Sequence, residues 1–460
     1  MRLLLLFFIL CPVLVTGQNI EGYWTGSIDV QGISLRLAFT INVSGDTLLT
    51  TMDSPDQEVF GIPVQSTYTN DDTLRFEMPN ASIKYEGVLD SSGRYIGMFN
   101  QGGMAFPLNL EKTEEKQLGN KRPQEPKKPY PYSEEMVVFL NETDGINLAG
   151  TLTIPKEQAS CPAVVLISGS GAQNRDEAIL GHKPFLVLAD HLTRNGIAVL
   201  RYDDRGTAES EGDFTSSTAY DFSKDAEAAF NYLKSRKKID SNRIGLIGHS
   251  EGGMVAPMVA ARNSEINFLV LLAGTGVRGD QIILQQSFLI GKASGIPEEE
   301  LAKGREINKG AFDLVLDETI DDSLDTKLTQ YFYSQDTSIT DEGITVEQMV
   351  NKNVRTLNNP QIKYFIRYDP APALKKVTCP VLALNGERDL QVDPNQNINA
   401  IRSALEEGGN RKVTTKVFPR LNHLFQECKT GNINEYGAIE QTISPDVLEE
   451  ISNWIKAIEH

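Results

Sequence analysis

Five uniformly apolar runs beyond residue 160 constrain this chain more than any other feature. Ala163–Ile167, Ile197–Leu200, Ile244–Ile247, Phe268–Leu272 and Val381–Leu384 carry almost no polar residue. A strand with one wet face alternates. A strand apolar throughout is buried on both faces, the condition of a parallel sheet covered by helices. Helical stretches lie between the runs. Over Asp221–Lys234, residues Phe222, Ala226, Ala229, Phe230 and Leu233 share one face at the helical period. The pattern predicts an α/β fold with a mostly parallel sheet flanked by helices. Between Gly274 and Pro372 the alternation stops, and the sequence turns polar and helical without a strand run. This predicts a helical cap at about 275–370, inserted between two core strands, where long insertions close active sites.

The first hundred residues have a different texture. Leu35, Leu37, Phe39, Ile41 and Val43 alternate with more polar neighbours, and Leu74-Phe76-Met78 and Phe106-Leu108-Leu110 repeat the pattern. Turn signals at Ser44-Gly45-Asp46, Asn70–Asp72 and Ser91-Ser92-Gly93 separate them. A small antiparallel all-β domain, barrel or sandwich, is expected over 18–112, with Trp24 in its core and Gln101-Gly102-Gly103 as a turn. Residues 113–133, rich in Lys, Glu and Pro, read as an extended, solvated linker before the α/β region at 134–460. At the N-terminus, Met1-Arg2, the apolar Leu3–Leu10 and the small residue ending Val15-Thr16-Gly17 have the layout of a secretory signal peptide over 1–17. A secreted or periplasmic chain with no stable membrane span after cleavage is expected.

A net charge of −18, from 44 Lys plus Arg against 62 Asp plus Glu, argues against a nucleic-acid partner, because no positive field offsets phosphate repulsion. Beyond the leader, Cys161, Cys379 and Cys428 form neither a disulfide framework nor a zinc spacing. No metal site is expected.

The chemistry centres on Gly248-His249-Ser250-Glu251-Gly252. It follows an apolar strand and precedes a helix rich in small residues, so Ser250 sits at the apex of a strand–turn–helix. The flanking glycines leave room for backbones in contact, and the strained turn lifts the hydroxyl above the sheet. The next amide points at the reacting oxygen. Pro257 falls in the first two turns of the helix, where it bends rather than breaks it.

A serine nucleophile needs a base. Of five histidines, His182 and His191 precede Ser250, His249 faces away from it and His460 is terminal. His423, in Arg420-Leu-Asn-His-Leu-Phe after the expected last strand Val413–Phe418, remains. Asp389, in the turn after Val381–Leu384, is the candidate acid, with Glu387 and Asp393 as fallbacks. An acid there fixes the tautomer of the base. The oxyanion hole is expected from the Glu251 amide and from Ser170 or Gly171 in Ser168-Gly-Ser-Gly. Asp203 and Arg205, in Arg201-Tyr-Asp-Asp-Arg-Gly, are expected to pair and hold their loop. Gln173–Asp176 borders the oxyanion loop, as substrate contact or ion-pair scaffold.

These pieces, with Cys379-Pro-Val-Leu-Ala-Leu-Asn-Gly386 and Leu421-Asn-His-Leu-Phe425, run across the whole region after the linker. Together they resemble secreted or periplasmic bacterial α/β-hydrolase esterases with a Gly-His-Ser-Glu-Gly-Gly elbow, some of which carry an N-terminal β accessory domain. The resemblance implies the α/β-hydrolase fold, a small-molecule ester substrate with short acyl chains preferred, no cofactor, and Ser250, Asp389 and His423 as triad. Ser168 departs from many relatives in the wider fold, which have His before the Gly. Two rival readings remain. One is a serine peptidase of the prolyl-oligopeptidase kind, for whose propeller the N-terminal region is too short. The other is a non-catalytic binding protein, against which the intact Ser, Asp and His argue.

Overall fold

The computed structural model describes residues 20–458 apart from 31–32, 46, 58, 71, 114–120 and 336–344. The expected leader and His460 lie outside the described residues. The chain forms two compact units, Met1–Gly119 and Asn120–His460.

The first unit is a single antiparallel sheet of nine strands: β1 (Gly22–Val30), β2 (Ile33–Ser44), β3 (Thr47–Ser54), β4 (Val59–Pro63), β5 (Ser66–Asn70), β6 (Thr73–Met78), β7 (Ile83–Leu89), β8 (Tyr95–Gln101) and β9 (Met104–Thr113). The order is β4-β3-β2-β1-β9-β8-β7-β6-β5. Four strands separate β2 from β6 along this ladder, yet Phe39 stacks on Phe76 with ring centroids 4.4 Å apart. The sheet therefore curls until its halves face each other across one core, which Trp24, Phe39, Phe76, Tyr85 and Leu108 fill. Gln101–Gly103 belong to the β8–β9 turn.

The second unit holds an eight-stranded sheet: β10 (Ser133–Asn141), β11 (Ile146–Ile154), β12 (Cys161–Ile167), β13 (Ala198–Tyr202), β14 (Ile239–His249), β15 (Leu269–Leu272), β16 (Val381–Gly386) and β17 (Val413–Phe418). Its order is β10-β11-β13-β12-β14-β15-β16-β17. The pairs β10–β11 and β11–β13 are antiparallel, and all later pairs are parallel. This is the α/β-hydrolase arrangement.

The helices are α1 (Pro184–Arg194), α2 (Ala219–Lys234), α3 (Gly252–Ala260), α4 (Gly279–Ala293), α5 (Glu298–Leu316), α6 (Leu324–Ser334), α7 (Val346–Asn358), α8 (Pro360–Arg367), α9 (Ala371–Leu374), α10 (Pro394–Glu407) and α11 (Pro445–Ala457). The apolar runs are explained strand by strand. In β12, Ala163, Val165 and Ile167 pack with Ala229, Phe230, Val255 and Ile401 from α2, α3 and α10. Val164 and Leu166 point the other way, to Phe185 and Leu188 of α1 and Ile451 of α11. Both faces are covered, so every position must be apolar.

Helices α4–α8 lie between β15 and β16 and share their own core around Phe312, Val315, Leu328, Phe332, Val350 and Ile366. At the start of α7, Thr345 Oγ1 accepts from the Gln348 amide at 3.1 Å while Gln348 Oε1 accepts from the Thr345 amide at 3.0 Å, a reciprocal cap. Among the described residues no helix is long and apolar enough to cross a membrane.

The stretch expected to be solvated linker is docked along part of its length. Arg122 donates to the carbonyls of Leu180, Gly181, Gly437 and Ile439 at 2.8–2.9 Å, and Gln124 Nε2 donates to Ile443 O at 2.7 Å. Composition favours an extended chain there, but loop carbonyls converge on one guanidinium and hold it.

Candidate active site

Ser250 lies between β14 and α3 with φ of 52°, a left-handed value that a serine holds only under constraint. Its amide donates to Leu272 O at 2.8 Å, tying the turn to β15. A Cβ on Gly248 would stand 2.0 Å from Gly252 O, and one on Gly252 would stand 2.1 Å from Ile167 O. Side chains at either position would push the elbow apart.

Asp389 follows β16 and His423 follows β17, at the carboxyl ends of parallel strands where α/β sheets collect functional groups. His423 Nδ1 lies 2.8 Å from Asp389 Oδ2, both residues being buried. The other carboxylate oxygen of Asp389 accepts from the amides of Gln391 and Val392 at 2.8 and 2.9 Å. The acid is thus held at both oxygens, and the ring is oriented by it. In the His423 loop, Asn422 Oδ1 accepts from the amides of Leu424 and Gln426. The fallback carboxylates serve elsewhere: Glu387 accepts from the Arg420 amide, and Asp393 caps α10 by accepting from the Asn395 amide.

A cavity of about 430 Å³ is lined by Ser250, Glu251, Ser170 and Gly171 on the sheet side, and by residues of α4 and α8 on the cap side. Within Ser168–Gly171, the Gly169 amide is already given to Glu177 Oε1 at 2.7 Å, while Ser170 and Gly171 line the cavity. Asp204 braces this loop, accepting from Ser168 Oγ at 2.6 Å and from the Gln173 amide at 2.9 Å. Burial outweighs those bonds and pushes its carboxyl up to about 8. Burial also lifts the carboxyl of Glu251, the residue after Ser250, to about 7.

The expected Asp203–Arg205 pair is not formed. Asp203 instead takes the Arg175 fork, with Nη2 to Oδ2 at 2.5 Å and Nε to Oδ1 at 3.0 Å. Arg205 reaches the α2 side, pairing with Asp225 at 2.7 Å and with Asp144 at 2.7 Å. Each residue meets a partner from a distant segment that matches its planar group better than a neighbour two residues away can. Both still hold the loop. Arg175, and Asp176 paired with Arg201, are scaffold.

Two features escaped the sequence. Glu177 carries no motif signal, yet its Oε1 also meets His249 Nδ1 at 2.8 Å. His249 Nε2 in turn faces the His423 carbonyl at 3.2 Å. Both ring nitrogens of His249 thus face oxygen atoms. Against the lowering effect of burial, the Glu177 carboxylate raises its pKa. The second feature is the cap wall of Gln286 and Gln361, which an unaligned helical pattern does not mark. His182 and His191 are structural, bonded to Thr442 and Ser452. Among the described residues no group of His, Cys, Asp and Glu is arranged to hold a metal ion, and all three described cysteines are free.

Residues 144–417 match the family model described as X-Pro dipeptidyl-peptidase (S15 family), more than half of the chain. The chain belongs to the S15 family. This S15 member is also similar to Esterase EstD of Thermotoga maritima, 29% identical over 317 residues that cover 67% of this chain. It spans 65% of the length of that relative. Among solved structures it is similar to the Pyrococcus furiosus esterase Pf2001, with a TM-score of 0.43 and 16% identity over 74% of this chain and 98% of that one.

Proposed function

We propose that this protein is a serine carboxylesterase that hydrolyses short-chain acyl esters. The observation that carries the reading is the Asp389–His423 pair at 2.8 Å, on the same edge of the sheet as the strained Ser250 elbow. In this mechanism His423 Nε2 takes the proton of Ser250 Oγ, which attacks the ester carbonyl. The amide of Glu251 and one from Ser170 or Gly171 hold the oxyanion. His423 returns the proton to the departing alcohol. Water then attacks the acyl-enzyme, giving its proton to His423, and the acid leaves as Ser250 Oγ recovers that proton. Asp389 keeps Nδ1 protonated and steadies the imidazolium. A cavity of about 430 Å³ accommodates a small ester. The esterase name of the Thermotoga relative supports the same chemistry. We also propose export, from the leader-like residues 1–17.

The family's description favours a second reading, a peptidase acting after proline. A panel of p-nitrophenyl esters from acetate to palmitate, set beside Xaa-Pro p-nitroanilides, separates the two. The esterase reading expects turnover greatest for acetate and butyrate. Turnover confined to the anilides would replace it with the peptidase.

A further inference from the structure

The cavity above Ser250 holds polar groups that the esterase mechanism does not use. Thr275, Gln286, Gln361 and Gln391 all line it. Gln361 Nε2 and Thr275 Oγ1 are buried without a hydrogen-bond partner, and Thr275 is only 3% exposed. A buried polar atom left unpaired is destabilising, and native structures rarely keep two in one cavity unless something else satisfies them. The apolar lining, Ile282, Ile362 and Phe365, stands in the same cavity. Among the described residues that line it, none is Lys, Arg or His, and Glu251 is the one ionisable side chain.

We propose that this polar lining is a subsite for an uncharged, hydroxyl-bearing part of the ester, such as the sugar or polyol of an acylated carbohydrate. The inference rests on the esterase reading and deepens it. An amide and a hydroxyl each donate and accept, which matches a hydroxyl group. An anionic group would find no cation there, and a plain alkyl group would leave both polar atoms unpaired. A sugar ring presents hydroxyls at its edge and C–H groups on its faces, which fits a wall of glutamines beside isoleucines and a phenylalanine. The hydroxyls can belong to the alcohol or to the acyl group, and both sources share this chemistry.

The test measures kcat/KM for two matched pairs: 6-O-acetyl methyl glucoside against cyclohexyl acetate, and ethyl 3-hydroxybutyrate against ethyl butyrate. A site built around hydrogen bonds discriminates strongly against the analogue lacking them, so at least one hydroxylated ester should exceed its apolar partner by roughly tenfold or more. The favoured pair identifies the source. Gln361→Leu and the near-isosteric Thr275→Val should each narrow that ratio about fivefold, since each removes one hydrogen bond of roughly 1 kcal/mol. Equal rates within both pairs, or a ratio unchanged in both variants, overturns the subsite. Absence of any p-nitrophenyl acetate turnover by the wild type is a separate result, which removes the esterase reading and this inference with it.

Discussion

Glu177 and His249 meet in a buried contact, with Oε1 and Nδ1 2.8 Å apart, that joins three segments of the site. The same carboxylate oxygen holds the Gly169 amide, and the same imidazole reaches the His423 carbonyl. The Ser168–Gly171 loop, the elbow and the His423 loop therefore share one hub. Glu177 keeps its place at φ of 50°, a strained backbone that only its contacts justify.

Glu177→Gln keeps the shape and removes the charge. We expect kcat to fall by about 10- to 100-fold with KM changed far less, because misplaced donors and base act on the transition state rather than on binding. Steady-state kinetics on p-nitrophenyl acetate check this. A rise in KM alone would assign Glu177 to substrate binding.

Asp389→Asn should leave the fold intact and lower kcat by about 10⁴-fold, as expected when the base loses its tautomer. The amides of Gln391 and Val392 can still bond to an asparagine oxygen, so thermal unfolding should shift little. Residual activity within tenfold of wild type would mean another residue orients His423.

Arg205 and Asp225 make a buried pair at 2.7 Å, and Asn141 Nδ2 also bonds Asp225 at 2.7 Å. Arg205→Ala strands that carboxylate, and removing one partner of a buried pair costs about 3–5 kcal/mol. Urea denaturation measures the loss. A change below about 1 kcal/mol, the range of exposed pairs, would show that the pair is not buried in solution.

Glu251 gives a pH signature. Burial lifts its carboxyl from 4.5 to about 7 in the folded chain. A raised carboxyl contributes its stability while protonated. That contribution is complete below 4.5 and is lost as pH climbs through about 7. Glu251→Gln removes the titration. The variant's stability relative to wild type should grow between these pH values by up to about 3 kcal/mol and then level off. Thermal unfolding from pH 4 to pH 8 reads this directly, and a difference independent of pH would contradict it.

The parallel strands were legible because burial on both faces leaves no polar positions, as in Ala163–Ile167. The elbow was legible because its glycines stand where an added Cβ would fall within about 2 Å of neighbouring backbone oxygens. Strands β10 and β11 left weaker marks: β10 exposes alternate residues, so it lacks the continuous run. Contacts between distant segments were not legible. Composition placed Asp203 near Arg205, but which carboxylate meets which guanidinium depends on the packing of α2 and the Arg175 loop. Glu177 and the cap glutamines are ordinary residues whose meaning comes only from what the fold brings beside them.

In the proposed mechanism Ser250 is the nucleophile. A fluorophosphonate probe followed by peptide mass spectrometry tests it most directly. One adduct, on the peptide carrying Gly248–Gly252, is expected, with both labelling and p-nitrophenyl acetate hydrolysis abolished in a folded Ser250→Ala variant. Labelling at another serine, or hydrolysis surviving at wild-type rate in that variant, would place the nucleophile elsewhere.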